Sequence, residues 1–164
     1  MPRRFEEVFR LVPADRWRWE PADWEGVPGE RFSALGHACH LRDIEIDGYH
    51  VRVRRLLEEE APDLVSLDGY ALARERGYDT ADPFAAISAF ADARARTVEI
   101  LGRLDARQLT RRGTFAEYGA ITLRGLIHYL CSHDDQHLAC MHWLLGRLAA
   151  PDAGAAATAR GGRG

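Results

Sequence analysis

The chain has 164 residues, 46% of them hydrophobic, and a net charge of −3, which is enough for one domain with a real core and too little for two. Both charge signs are spread along it, so it offers no basic footprint for nucleic acid and no polybasic surface for lipid, and neither is expected as a partner. It contains no lysine and no asparagine, which excludes a lysine Schiff base, a P-loop lysine and a Cys-His-Asn triad. Neither GxSxG nor GxGxxG occurs.

The first residues, Met1 to Glu7, are charged rather than apolar, and no window approaches the ~18 apolar residues of a membrane span. A cytoplasmic location is expected. Three cysteines, Cys39, Cys131 and Cys140, are an odd number without framework spacing and fit reduced thiols. Phe5 to Val12 is amphipathic and stops at Pro13. The stretch with Trp17, Trp19 and Trp24 is broken by Pro and Gly, and is predicted to be irregular and to pack over the end of a bundle.

Ser33 is a good N-cap for a second helix running to about Glu60, before Pro62. Its inward candidates are His37, His40, Ile44, Asp47, Val51 and Leu56. Tyr70 to Arg76 forms at most a short helical turn. Asp82-Pro83 opens a third helix through Leu104, with Phe84, Ile87, Ala91, Arg94, Val98 and Leu101 along its seam. Arg111 to Gly119 reads as a connection to a fourth helix that begins near Thr122 and ends at Leu148. Residues 149–164 are an Ala/Gly/Arg-rich segment predicted to be a disordered tail, which leaves 1–148 as the domain. With no convincing period-2 strand, the predicted fold is all-α, an antiparallel four-helix bundle.

The fourth helix carries the chemical signal. Its stripe runs Leu123, Leu126, Leu130, His133, His137, Met141, Leu144, Leu148, in steps that keep one face inward. Two imidazoles replace hydrocarbon there. Residues four apart are separated by about 6 Å along the axis and about 40° around it, so both rings can address one ion. Buried without a ligand, the pair would leave up to four ring nitrogens needing partners on an apolar seam. A third ligand should come from a facing helix; the third helix has no His, and the second offers His37 and His40.

The segment Phe32-Ser33 followed by His40-Leu41-Arg42-Asp43-Ile44-Glu45, with His133-x-x-x-His137 on the last long helix, resembles the DinB/YfiT-like family. In that family the second helix reads Trp-Ser and then His-Leu-x-Asp-x-Glu, and the last carries His-x-x-x-His. The similarity covers most of Phe32 to Gly146, including Phe90, Arg94 and Leu101 of the third helix. It implies an up-down-down-up four-helix bundle holding one divalent ion through His40, His133 and His137, and its register selects His40 over His37. The chain departs from the family at Cys140, where many relatives have Gln, and at Gly36, where many have an acidic residue.

Three neutral imidazoles leave the full charge on an ion and a coordination position open, as in catalytic sites. Zinc, nickel and iron all suit such donors. The chemistries that follow are hydrolysis through metal-activated water and transfer of an activated thiol to an electrophile. The resemblance favours a transferase using a small-molecule thiol of the bacillithiol or mycothiol type. A metal-dependent hydrolase and a non-catalytic, stress-associated metal-binding protein are the alternatives. The oligomeric state stays open between monomer and homodimer. Asp43 and Asp134 are candidates to orient ligand imidazoles through the second ring N–H. Arg94 is a candidate to reach a buried carboxylate such as Asp47, to hold an anionic substrate group, or to extend outward. Cys140 is a candidate fourth ligand, pocket-wall thiol or small core residue.

Overall fold

The computed structural model describes residues 1–150; the tail expected from sequence lies, from 151 onward, outside them. Helix α1 spans Pro2–Phe9, one turn earlier than the hydrophobic pattern suggests because Pro2 suits a first turn, and it buries Phe5, Val8 and Phe9. The irregular stretch that follows is tied down by its tryptophans. Trp17 lies 5.6 Å from Phe9 and edge-on to Phe84 at 5.5 Å, and Trp24 stacks on Trp143 at 5.7 Å.

Helix α2 spans Ala34–Asp43, and its predicted cap holds: Ser33 Oγ accepts the Gly36 N–H at 3.1 Å. The chain then runs without a break through a π-helical turn, Ile44–Tyr49, into α3, His50–Glu58. The π turn accommodates one extra residue and so shifts the phase of everything after it by about 100°. Asp47 and Val51, expected inward, therefore point away from the core, and Glu45, Tyr49, Arg52 and Val53 are buried instead, while Leu56 is buried as expected.

Helix α4, Gly69–Glu75, is capped by Asp68; α5, Pro83–Gly102, by Asp82, which accepts the Ala85 N–H at 2.8 Å; and α6, Leu123–Leu148, by Thr122, which accepts that of Gly125 at 3.1 Å. The buried face of α5 is Ala86, Ile87, Phe90, Ala93, Arg94 and Thr97. Val98, placed on the seam from sequence, is 61% exposed.

The region expected to be a plain connection forms a small sheet. Strands β1 (Asp63–Leu64) and β2 (Arg112–Phe115) pair in parallel, and β2 pairs antiparallel with β3 (Gly119–Thr122), with Phe115 opposite Gly119. The molecule is thus mostly helical with a three-stranded addition. Burial in β2 does alternate, but over only four residues, too few for a period to stand out.

The apolar core falls into two clusters. One joins α1, α2, α5 and the C-terminal half of α6 through residues such as Phe5, Phe9, Leu35, Phe90, Met141 and Leu144. The other joins α3, the sheet and the N-terminal half of α6 through Tyr49, Leu56, Phe115, Leu123 and Leu126. Between them lies a layer of buried polar side chains, among them His37, His40, Glu45, Arg94, Asp134 and His137. No helix of the described residues is long and apolar enough to cross a membrane.

Candidate metal centre

The α2 and α6 seams face one another at this polar layer, which brings together the three histidines singled out from sequence. His133 Nε2 lies 3.3 Å from His40 Nε2 and 3.1 Å from His137 Nε2. A fourth donor arrives from the irregular stretch before α2. Glu30 Oε2 stands 3.0 Å from His40 Nε2 and 3.2 Å from His137 Nε2, and all four donor atoms lie within 4.8 Å of one another.

These separations fit one small divalent ion. Donors about 2.0 Å from a common centre in tetrahedral array stand about 3.3 Å apart. The donor set also needs something to bind: Glu30 Oε2 is buried and makes no hydrogen bond despite its two imidazole neighbours. The group could therefore hold a metal ion, with three ring nitrogens and one carboxylate oxygen.

The electrostatics point the same way. Burial, reinforced by neighbouring imidazoles, keeps His37 and His133 well below the usual histidine range, and burial likewise lowers His137, so these rings are neutral and able to ligate.

The side chains behind the donors differ from expectation. His137 Nδ1 meets His37 Nδ1 at 2.8 Å, so the histidine passed over as a ligand is the one that contacts the back of a ligand ring. Neither proposed aspartate does so. Asp43 accepts from Tyr78 Oη at 2.7 Å and pairs with Arg42 at 2.6 Å and Arg76 at 3.0 Å. Asp134 pairs with Arg94, whose Nη2 also reaches Glu45 at 2.8 Å, while Thr97 Oγ1 donates to Glu45. Arg94 thus reaches buried carboxylates, but not Asp47, which the π turn has moved out to Arg76. Burial favours a neutral Arg94, yet Asp134 and Glu45 outweigh it and keep the guanidinium charged. Cys140 is fully buried outside the donor group, and burial pushes its thiol up to about 11, which removes it as a ready nucleophile.

Gly69, at the start of α4, lies against His40. A Cβ there would come within 2.6 Å of His40 Cε1 and 2.8 Å of Nδ1, so only glycine leaves the ring its position. A cleft of about 490 Å3 opens at His40, His133 and Glu30, walled by Tyr49, Phe115, Tyr118 and Tyr129.

A family model for the DinB superfamily matches residues 1–141. The chain belongs to the DinB superfamily. Its fold is similar to that of YfiT from Bacillus subtilis, described as a probable metal-dependent hydrolase with an unusual four-helix bundle topology. The TM-score is 0.77 at 19% identity, over 90% of this chain and 81% of that one. No curated protein matches the chain.

Glu30 is the residue that sequence reasoning missed. It sits in Val27-Pro28-Gly29-Glu30-Arg31, where no periodicity assigns a face, and it reaches the site because the tryptophans fix the path of that stretch. Its only sequence signal is proximity to Ser33, the cap of the ligand-bearing helix.

Proposed function

We propose that this DinB-superfamily protein is a metal-dependent enzyme in which His40, His133, His137 and Glu30 hold a divalent ion, zinc, nickel or iron, at the base of the aromatic cleft, and that it hydrolyses a small-molecule substrate. The observation that carries the reading is the Glu30 carboxylate gathered with the imidazoles of His40, His133 and His137. A divalent ion held there would act as a Lewis acid and bring the pKa of a bound water to about 7. His37, through the Nδ1 contact, fixes the ring of His137. Tyr49 and Phe115 form cleft walls that shield a bound substrate from bulk water. The fold shared with YfiT is consistent with this chemistry.

Thiol transfer is the second reading. Ser66, Ser132 and Gln136 line the cleft together with its aromatic residues, which suits a polar thiol carrier placed beside an apolar electrophile.

Metal analysis comes first. Purified protein dialysed against zinc, nickel or iron should hold close to one ion per chain, and His40→Ala, His133→Ala or His137→Ala should each abolish stoichiometric binding; full occupancy in all three variants would refute the site. Turnover of an ester and amide panel, removed by chelation and restored by metal, would support the hydrolase. Metal-dependent loss of bacillithiol, mycothiol, glutathione or cysteine against chlorinated aromatics, epoxides or maleylpyruvate, with esters inert, would replace it by the transferase. An ion bound and exchangeable with no turnover in either panel would favour a binding role.

A further inference from the structure

Arg52 is 6% exposed and lines the same cleft, yet it has no carboxylate partner among the described residues. Its Nε and Nη2 both donate to the Val65 carbonyl, at 3.1 and 3.0 Å, and its guanidinium lies over the rings of Phe115 at 4.6 Å and Tyr49 at 5.4 Å. Nη1 makes no hydrogen bond. Glu117, exposed at the cleft, forms no ion pair with it. A buried cation without a counter-charge is costly, and buried charges are ordinarily paired. Arg94, in the adjacent polar layer, shows that ordinary solution with two carboxylates.

The placement of Arg52 depends on two local features. The π turn brings α3 into the phase that turns Arg52 inward, and π turns within helices recur at functional sites. Gly48 then makes room, since a Cβ there would lie 2.8 Å from Arg52 Nη1. Tyr49 bridges to the histidines: its ring centroid is 6.0 Å from that of His133. One aromatic ring therefore separates the unpaired guanidinium from the candidate metal ligands. The cleft, at about 490 Å3, is in the range of small-molecule sites.

We infer that Arg52 anchors the anionic group of the substrate, a carboxylate or phosphate carried on a flat, aromatic body, and that this anchoring points the rest of the molecule toward His133. The anion supplies the missing counter-charge, and the cleft walls Tyr118 and Tyr129, with rings 4.4 Å apart, offer the body aromatic surface. The inference rests on the metal-enzyme reading for its functional meaning, but its test does not.

Benzoate, phenyl phosphate and the neutral analogue benzamide are titrated calorimetrically into metal-free protein, so that no anion can be held by an ion. At least one anion should bind roughly tenfold or more tighter than benzamide, the size of one charge-assisted contact. The preference should vanish in Arg52→Gln, with benzamide binding and zinc stoichiometry unchanged. Benzoate alone would assign a carboxylate, phenyl phosphate alone a phosphate. Equal binding of all three probes, no binding of either anion, or a preference that survives in Arg52→Gln would overturn the inference. If Arg52→Gln loses its cooperative melt, Arg52→Lys, which keeps the charge and loses the planar fork, is used instead. Weakened anion binding at unchanged benzamide binding supports the inference, and unchanged anion binding overturns it. The same preparations separate the two readings: anion preference without zinc binding would sink only the metal site, and zinc binding without anion preference only the anchor.

Discussion

At the residue scale, the site depends on who touches whom behind the donors. For His137 to ligate through Nε2, its Nδ1 must carry the proton and donate it to His37 Nδ1, 2.8 Å away. His37→Ala should therefore weaken metal affinity by about 10- to 100-fold, the usual cost of losing such a partner, while Asp134→Asn and Asp43→Asn should change it far less. Competition with a chelating dye reads all three. Gly69→Ala should weaken binding as well, because His40 must move to accept the new methyl group. Unaltered affinity in that variant would show that His40 is not held in place as argued. Arg94 serves the core instead. Arg94→Met would strand Glu45 and Asp134, 1% and 6% exposed, without a counter-charge. A loss of about 3–5 kcal/mol is expected, measured by urea unfolding.

At the scale of elements, the helices were legible where capping and period agreed. Ser33, Asp82 and Thr122 each receive the backbone N–H that their side chains suggest. His40, His133 and His137 come together because two inward stripes facing across a bundle must meet. What the period could not show is a change of period. A π turn leaves no simple residue signature, so an unbroken helical period points Asp47 and Val51 inward where Glu45 and Arg52 lie. Glu30 was hidden because an irregular segment has no face to read, and the strands because four residues or fewer hold too little pattern. The cysteines give a check on element packing. Cys39 and Cys140 are buried, with thiols pushed up to about 11, whereas Cys131 is exposed on α6. One thiol per chain should react rapidly with a disulfide reagent in the native protein, and three after denaturation. Two fast thiols would show that the α2–α6 packing is looser than described.

For the molecule as a whole, two apolar clusters give the bundle stability without an ion. Chelated protein should keep its helical circular dichroism and lose only a modest amount of melting temperature, since ligand at a hundredfold excess over Kd contributes about 2.7 kcal/mol. Acid should act on the same metal-free protein through its buried and half-buried histidines. The folded-state pKa values of His37, His133 and His137 are all lowered from 6.5, so below that value the unfolded chain binds protons that the folded chain refuses. Stability should fall as pH drops from about 6.5, with a limiting slope of about 1.4 kcal/mol per pH unit for each histidine. A flat urea midpoint between pH 7 and 5 would contradict the neutral state of these rings. The polar layer also separates the two apolar clusters, so the regions built on them are expected to open independently. In metal-free protein the amides of α1 and the C-terminal half of α6 should exchange with solvent deuterium at a free energy different from those of α3 and the sheet. The four donors sit on the boundary between these regions, and an ion bound there would act as a rivet: loading should slow exchange in both and merge them into one cooperative unit.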